Sequence, residues 1–217
     1  MTSLENIYAL QNVKEQTPEI CIEAVTENGI ALKYVKEQTP EICMRMQAVM
    51  YGNALQYVKE QTPEICLEAV KRCSDALEYI KQQTPEICML AVKRNGLALR
   101  YVEKQTPEIC IEAVKQNGWA LYCVKEQTPE ICIQAVKRNG GIALKYVKEQ
   151  TLEICMEAVK QNGHALQFVK EQTYDICMEA VTQCGFALQY VKEQTLEICK
   201  QAVEQCDYAS RYVMVTH

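Results

Sequence analysis

Histidine, serine and aspartate are nearly absent: two His, three Ser and three Asp stand in 217 residues. A catalytic triad needs a histidine placed by a carboxylate beside a nucleophile. The two histidines are His164 and His217. Glutamates are many, but they recur as helix positions rather than as a unique pair, and no phosphate-binding glycine loop occurs. No catalytic residue, cofactor site or metal site is therefore assigned. Glycine and proline are also few, eight and six, which excludes collagen-like and Gly/Pro-rich disordered chains. No apolar run approaches the roughly 18 residues of a membrane span. The start at Met1-Thr2-Ser3-Leu4 has no basic segment followed by an apolar one, so neither a membrane partner nor a secretory leader is expected. Positive charge is not in excess either. A net charge of −5 gives no general pull toward nucleic acid or anionic lipid.

What the sequence does contain is repetition. The clearest unit runs from Thr106 to Gln127, TPEICIEAVKQNGWALYCVKEQ, 22 residues. Its threonine recurs at Thr17, Thr39, Thr62, Thr84, Thr128, Thr151, Thr173 and Thr195 as well, giving nine copies at spacings of 22 or 23. Self-similarity at such a period signals a repeat architecture. Two copies are irregular. Gly140-Gly141 carries one extra glycine in a loop, and Met44-Arg45-Met46-Gln47 inserts residues within a helix, so the second copy should be distorted.

Each copy reads as two short helices. Threonine suits the N-cap and proline the first helical position. Glu108 in the first turn and Lys115 in the last complement the helix dipole. Asn117-Gly118 should supply the left-handed residue that ends the helix, and a second helix should run from Trp119 to about Gln127. Ile109, Cys110, Ala113 and Val114 share one face of the first helix, and Ala120, Leu121 and Val124 one face of the second. A single copy buries too little to fold alone, so the copies must stack. The reading is an all-α chain, an α-solenoid of nine 22-residue helical-hairpin repeats with half-repeat caps. Residues 1–217 form one domain in it, with an N-terminal cap over 1–16, tandem repeats over 17–206 and a C-terminal capping helix over 207–217. The polar Lys200 and Ser210 at apolar repeat positions suit such a cap, and the chain is expected to be a complete protein.

The string TPEIC–EAVK–NG–AL–YVKEQ, from about Ile7 to Val213, resembles a family of tandem repeats of unknown function. Such repeats are abundant in proteins of giant viruses that infect amoebae and in some bacteria. The resemblance implies an all-helical repeat protein, and it implies no activity and no functional residues. Leu152, Tyr174 and Leu196 depart from it in place of proline, and Cys73, Cys184 and Cys206 in place of asparagine.

Three groups of side chains invite function. Nine of the thirteen cysteines, Cys21 through Cys199, occupy one repeat position on the apolar face. Stacked copies set them too far apart for disulfides, and close pairs of the metal-binding kind are missing. They read as small buried hydrophobes, and thirteen thiols point to a reducing compartment: cytoplasm, or host cell or virion if the protein is viral. Cys73, Cys184 and Cys206 lie in turns, where they should be accessible. Two basic rows follow, Lys71-Arg72, Lys93-Arg94, Lys115, Lys137-Arg138 and Lys160 in the first helix, and Lys125, Lys148, Lys170 and Lys192 near the end of the copy. Acidic residues outnumber basic ones, 28 to 23, which favours solvated helix faces over a phosphate-tracking surface.

The residue after the glycine is the third. It reads Ile30, Asp75, Leu97, Trp119, Ile142, His164, Phe186 and Tyr208, with Asn53 in the altered copy. Its neighbours are nearly fixed while it varies. Such a row suits a protein-binding edge, where aromatics are favoured; a half-exposed place that tolerates anything would look the same. Ile30, Leu97, Trp119, Ile142, His164, Phe186 and Tyr208 are the candidate partner-binding residues. The expected function is a non-enzymatic scaffold for protein–protein interaction with an unknown protein partner. The alternatives are a self-assembling structural component, as a homo-oligomer or in a larger particle, and nucleic-acid binding through the lysine rows.

Overall fold

The computed structural model describes residues 10–45 and 53–214. Every regular element among them is helical, and each Thr-headed copy contributes a longer helix followed by a short one. The chain divides into two compact units, Met1–Lys104 and Gln105–His217.

The first unit holds the longer helices Pro18–Glu27, Pro40–Met44, Pro63–Arg72 and Pro85–Arg94, with 3-10 helices Gly29–Tyr34, Asn53–Tyr57, Ser74–Tyr79 and Gly96–Tyr101 after them. The insertion expected to distort the second copy falls largely on 46–52, outside the described residues, as do 1–9 of the N-terminal half-copy and 215–217 at the C-terminus. The second unit holds Pro107–Gln116, Pro129–Asn139, Leu152–Gln161, Tyr174–Gln183 and Leu196–Gln205, followed in turn by Gly118–Cys123, Gly141–Leu144, Gly163–Phe168, Gly185–Tyr190 and Asp207–Tyr212. Within each unit the longer helix of one copy packs on the longer helix of the next, and the short helices pack in the same order. Each unit is thus a stretch of α-solenoid.

The helix starts follow the sequence. Each heading threonine is extended and its Oγ1 accepts from the amide three residues on, as Thr106 does from Ile109 at 3.4 Å. Proline is dispensable: the helices headed by Leu152, Tyr174 and Leu196 have the same ten residues as that headed by Pro107. The helix ends differ from expectation. Asn117 is extended, at φ −149°, and not left-handed. Its amide donates to Ala113 O at 2.9 Å, closing the first helix, and its Oδ1 accepts from Trp119 N at 3.0 Å, opening the second. One asparagine caps both helices. Gly118 is needed for a different reason. A Cβ there would stand 2.6 Å from the carbonyl oxygen of Ala135 in the next copy, so only glycine permits the approach. Among the described residues positive φ occurs at Gly140 alone, φ 60°, where the inserted glycine ends an eleven-residue helix.

The second helix is also shorter than its apolar pattern suggests, ending at Cys123 rather than near Gln127. The reason lies in the glutamines. Gln127 Nε2 donates to Leu121 O at 3.3 Å, and Lys125 N donates to Gln105 Oε1 at 2.9 Å. Side-chain amides thus take carbonyls and amides that a continuing helix would have paired with each other.

The core is the predicted face. Ile109, Cys110, Ala113, Val114, Ala120, Leu121 and Val124 are buried, as are their counterparts in the other described copies with few exceptions. No polar or charged side chain among the described residues is fully buried.

Candidate functional site

The frame comes first, because it fixes where everything else can point. The glutamine before each threonine joins two copies. Gln127 Nε2 donates to Leu121 O in its own copy and to Tyr146 O in the next, at 2.9 Å, while its Oε1 accepts from Lys148 N at 3.0 Å. Gln16, Gln38, Gln61, Gln83, Gln150 and Gln194 repeat the arrangement. Sequence reasoning missed this row. The signal was present: one uncharged amide held before the threonine in every copy, after a charged pair everywhere except at Lys81-Gln82.

The same oxygen meets the cysteines. Cys110 Sγ donates to Gln105 Oε1 at 3.7 Å, and Cys88, Cys132, Cys155, Cys177 and Cys199 do likewise to their glutamines at 3.5–3.7 Å. The ladder is therefore more than packing along these rungs, where the thiol proton has an acceptor. Burial pushes the Cys110 thiol up to about 11; nearby Glu108 adds to the rise and Lys125 opposes it. Burial raises Cys132, Cys155 and Cys177 as well, with Lys170 and Lys192 opposing in the last two. The thirteen sulfurs form no disulfide. One rung departs from the expected burial: Cys199 is half-buried, because no further longer helix packs over it among the described residues. Cys73, Cys184 and Cys206 are half-buried in the turns. Among the described residues no group of three or more His, Cys, Asp or Glu is placed to hold a metal ion.

The row after the glycine is uneven. In the second unit Trp119, Ile142, Phe186 and Tyr208 are exposed at 46%, 48%, 36% and 64%, while the adjoining Ala120, Ala143, Ala187 and Ala209 are buried. His164 is half-buried. In the first unit Ile30, Asn53, Asp75 and Leu97 are all half-buried. Three rings of the row meet the tyrosine of the following copy. Trp119 lies 6.5 Å from Tyr146, His164 5.9 Å from Tyr190 and Phe186 6.2 Å from Tyr212, ring centre to ring centre. Tyr122 adds an edge contact to Tyr146 at 5.7 Å. Such pairs hold an exposed ring in a fixed orientation.

The charged rows are occupied locally. Lys59, Lys148, Lys170 and Lys192 each donate through Nζ to the carbonyl of a lysine one copy earlier, at 2.8–3.0 Å. In the first-helix row Arg72 pairs with Glu68 at 3.1 Å, and Arg138 donates to Gln116 O at 3.2 Å. The first-turn carboxyls of Glu19, Glu64 and Glu108 lie below their ordinary range, held first by their own backbone amides and then by the threonine hydroxyls. Between copies lie clefts such as the one of about 280 Å³ lined by Gln150, Thr151, Cys155, Lys170 and Ile176, walled by the frame itself. No described helix is long and apolar enough to cross a membrane.

The family described as a domain of unknown function, DUF4116, matches residues 62–106, 84–128, 106–152, 128–173 and 151–196, more than half of the chain. These matches advance by one Thr-headed copy at a time, each spanning about two copies, and that over 84–128 runs across the division between the two units. No curated protein and no solved structure matches.

Proposed function

The chain belongs to the DUF4116 family of tandem repeats, and from that premise we propose that it is a non-enzymatic scaffold that holds a protein partner along the row after the glycine. The observation that carries this reading is the contrast between adjacent residues. Ala120, Ala143, Ala187 and Ala209 are buried, while Trp119, Ile142, Phe186 and Tyr208 beside them are exposed. An exposed row of apolar and aromatic side chains has the composition of an interface centre. His164 is a half-exposed member of the same row in the second unit, and Ile30 and Leu97 hold that repeat position, half-exposed, in the first. The non-enzymatic part rests on the use of the other side chains: threonine caps, glutamine junctions and lysine–carbonyl bonds occupy the groups that catalysis would draw on. Thirteen thiols without a disulfide suit a reducing compartment such as the cytoplasm.

A second reading has an observation of its own. Leu152, Tyr174 and Leu196 replace the repeat's proline and are exposed, which supports self-assembly into a homo-oligomer or larger particle. Nucleic-acid binding is weaker, since the second lysine row already serves backbone carbonyls. Sedimentation over a range of concentrations and salt-dependent retention on RNA separate the three readings. The scaffold reading expects a monodisperse protein that RNA does not retain. Its direct test is the double variant Trp119→Ala/Phe186→Ala, which should weaken the partner complex by more than about 1 kcal/mol.

A further inference from the structure

Cys184 stands where Asn28, Asn95, Asn117 and Asn162 cap the second helix in other copies, and its side chain makes no such cap. Its sulfur is turned to the preceding copy instead, where Sγ lies 3.6 Å from His164 Nε2. Both residues are half-buried. Asn162 Oδ1 accepts from the backbone amide of His164 at 3.0 Å, which fixes the main chain there, and the imidazole makes an edge contact with Tyr190. In the tautomer protonated at Nδ1, Nε2 is the acceptor for the thiol proton. A thiol within reach of a positioned imidazole is the arrangement that activates cysteine as a nucleophile.

We propose that Cys184 is the thiol at which this protein exchanges with small-molecule disulfides, with His164 as its general base. In the step, His164 Nε2 takes the thiol proton and Cys184 Sγ attacks one sulfur of the disulfide. A new S–S bond joins Cys184 to that sulfur as the old S–S bond breaks. The other sulfur leaves as a thiolate and receives the proton from the imidazolium. Cys184 is oxidised to a mixed disulfide, the departing sulfur is reduced, and the histidine is returned unchanged. The adduct lies beside His164, so this exchange places a removable group within the row after the glycine.

The chain supplies its own controls. Cys206 is the same turn residue one copy later, and the residue 20 before it, in the place of His164, is Phe186, whose ring meets Tyr212 as His164 meets Tyr190. Cys73 has Asn53 at that spacing. The rung thiols of Cys88, Cys110, Cys132, Cys155, Cys177 and Cys199 are already bonded to glutamine oxygens.

The experiment treats the native protein with an aromatic disulfide that releases a coloured thiolate, and locates the adduct by peptide mass spectrometry. Cys184 should react first, at least about tenfold faster than Cys206 and Cys73, a modest share of what a positioned base contributes in enzymes. His164→Asn should bring Cys184 down to the Cys206 rate. Phe186→His should raise Cys206 toward the wild-type Cys184 rate, which decides the matter if the first variant does not fold. Equal rates at Cys184 and Cys206 in the wild type would overturn the proposal. So would an unchanged Cys184 rate in a folded His164→Asn protein, or an unchanged Cys206 rate in Phe186→His.

Discussion

The side-chain amide of Gln127 donates to the carbonyl of Tyr146, 2.9 Å away and one copy later. With Leu121 O and Lys148 N on the same side chain, one residue satisfies two carbonyls and one amide across a junction. Gln127→Leu keeps the bulk and strands Tyr146 O and Lys148 N, while Leu121 O keeps its bond from Val124 N. Each stranded, partly buried group costs about 1–3 kcal/mol, so denaturant unfolding should show a loss of about 2 kcal/mol or more. Gln127→Glu keeps the acceptor and loses both donated bonds, and should also destabilise. A neutral outcome for both would mean that the glutamines do not couple the copies.

Gly118 and Trp119 adjoin and should respond unequally. A methyl group at Gly118 meets the Ala135 carbonyl oxygen and the Asn139 side chain, so Gly118→Ala should cost about 2 kcal/mol as overpacking does. Trp119→Ala removes a half-exposed ring and its contact with Tyr146, for a loss of about 1 kcal/mol. Thermal or urea unfolding of the two variants gives the comparison directly.

Cys110 titrates at about 11 in the folded protein against an ordinary 9.0. A folded value raised above the unfolded one means that unfolding releases protons in this window. The contribution to stability is therefore complete below about pH 9, and it is lost as pH rises through about 11. Alkaline unfolding should be steep there, and flatter when Cys110, Cys132, Cys155 and Cys177 are replaced by alanine. In the native state below pH 9, a thiol reagent should label Cys73, Cys184 and Cys206 well before Cys110 or Cys132. Early labelling of Cys110 without unfolding would contradict the burial and the bond to Gln105.

Much of this was legible in the sequence. Thr106 and its counterparts set every described longer-helix start, and Ile109, Cys110, Ala113 and Val114 are the buried face that their spacing marks. Four features were not. Asn117-Gly118 carries a composition shared by left-handed turns and by close packing, and only the position of Ala135 distinguishes them. Val124 continues the apolar pattern of the second helix, but the glutamines of two copies capture the backbone after Cys123. Trp119 and His164 share a repeat position and each meets the tyrosine of the next copy, yet they differ in burial, so exposure along the row does not follow from the repeat position. Cys184 and His164 stand out separately in the sequence; their approach appears only when copies stack.

The central claim is that a structural frame carries a separable binding edge, and paired affinity purification from the native host cell tests it most directly. Wild-type protein and the Trp119→Ala/Phe186→Ala variant serve as baits at equal amounts, both shown to be helical by circular dichroism, and the retained proteins are quantified. The account predicts a protein that wild type retains in salt-resistant fashion and that the double variant loses at least about fivefold, the factor that 1 kcal/mol represents. Equal retention by both baits, or retention of nucleic acid alone, would contradict it.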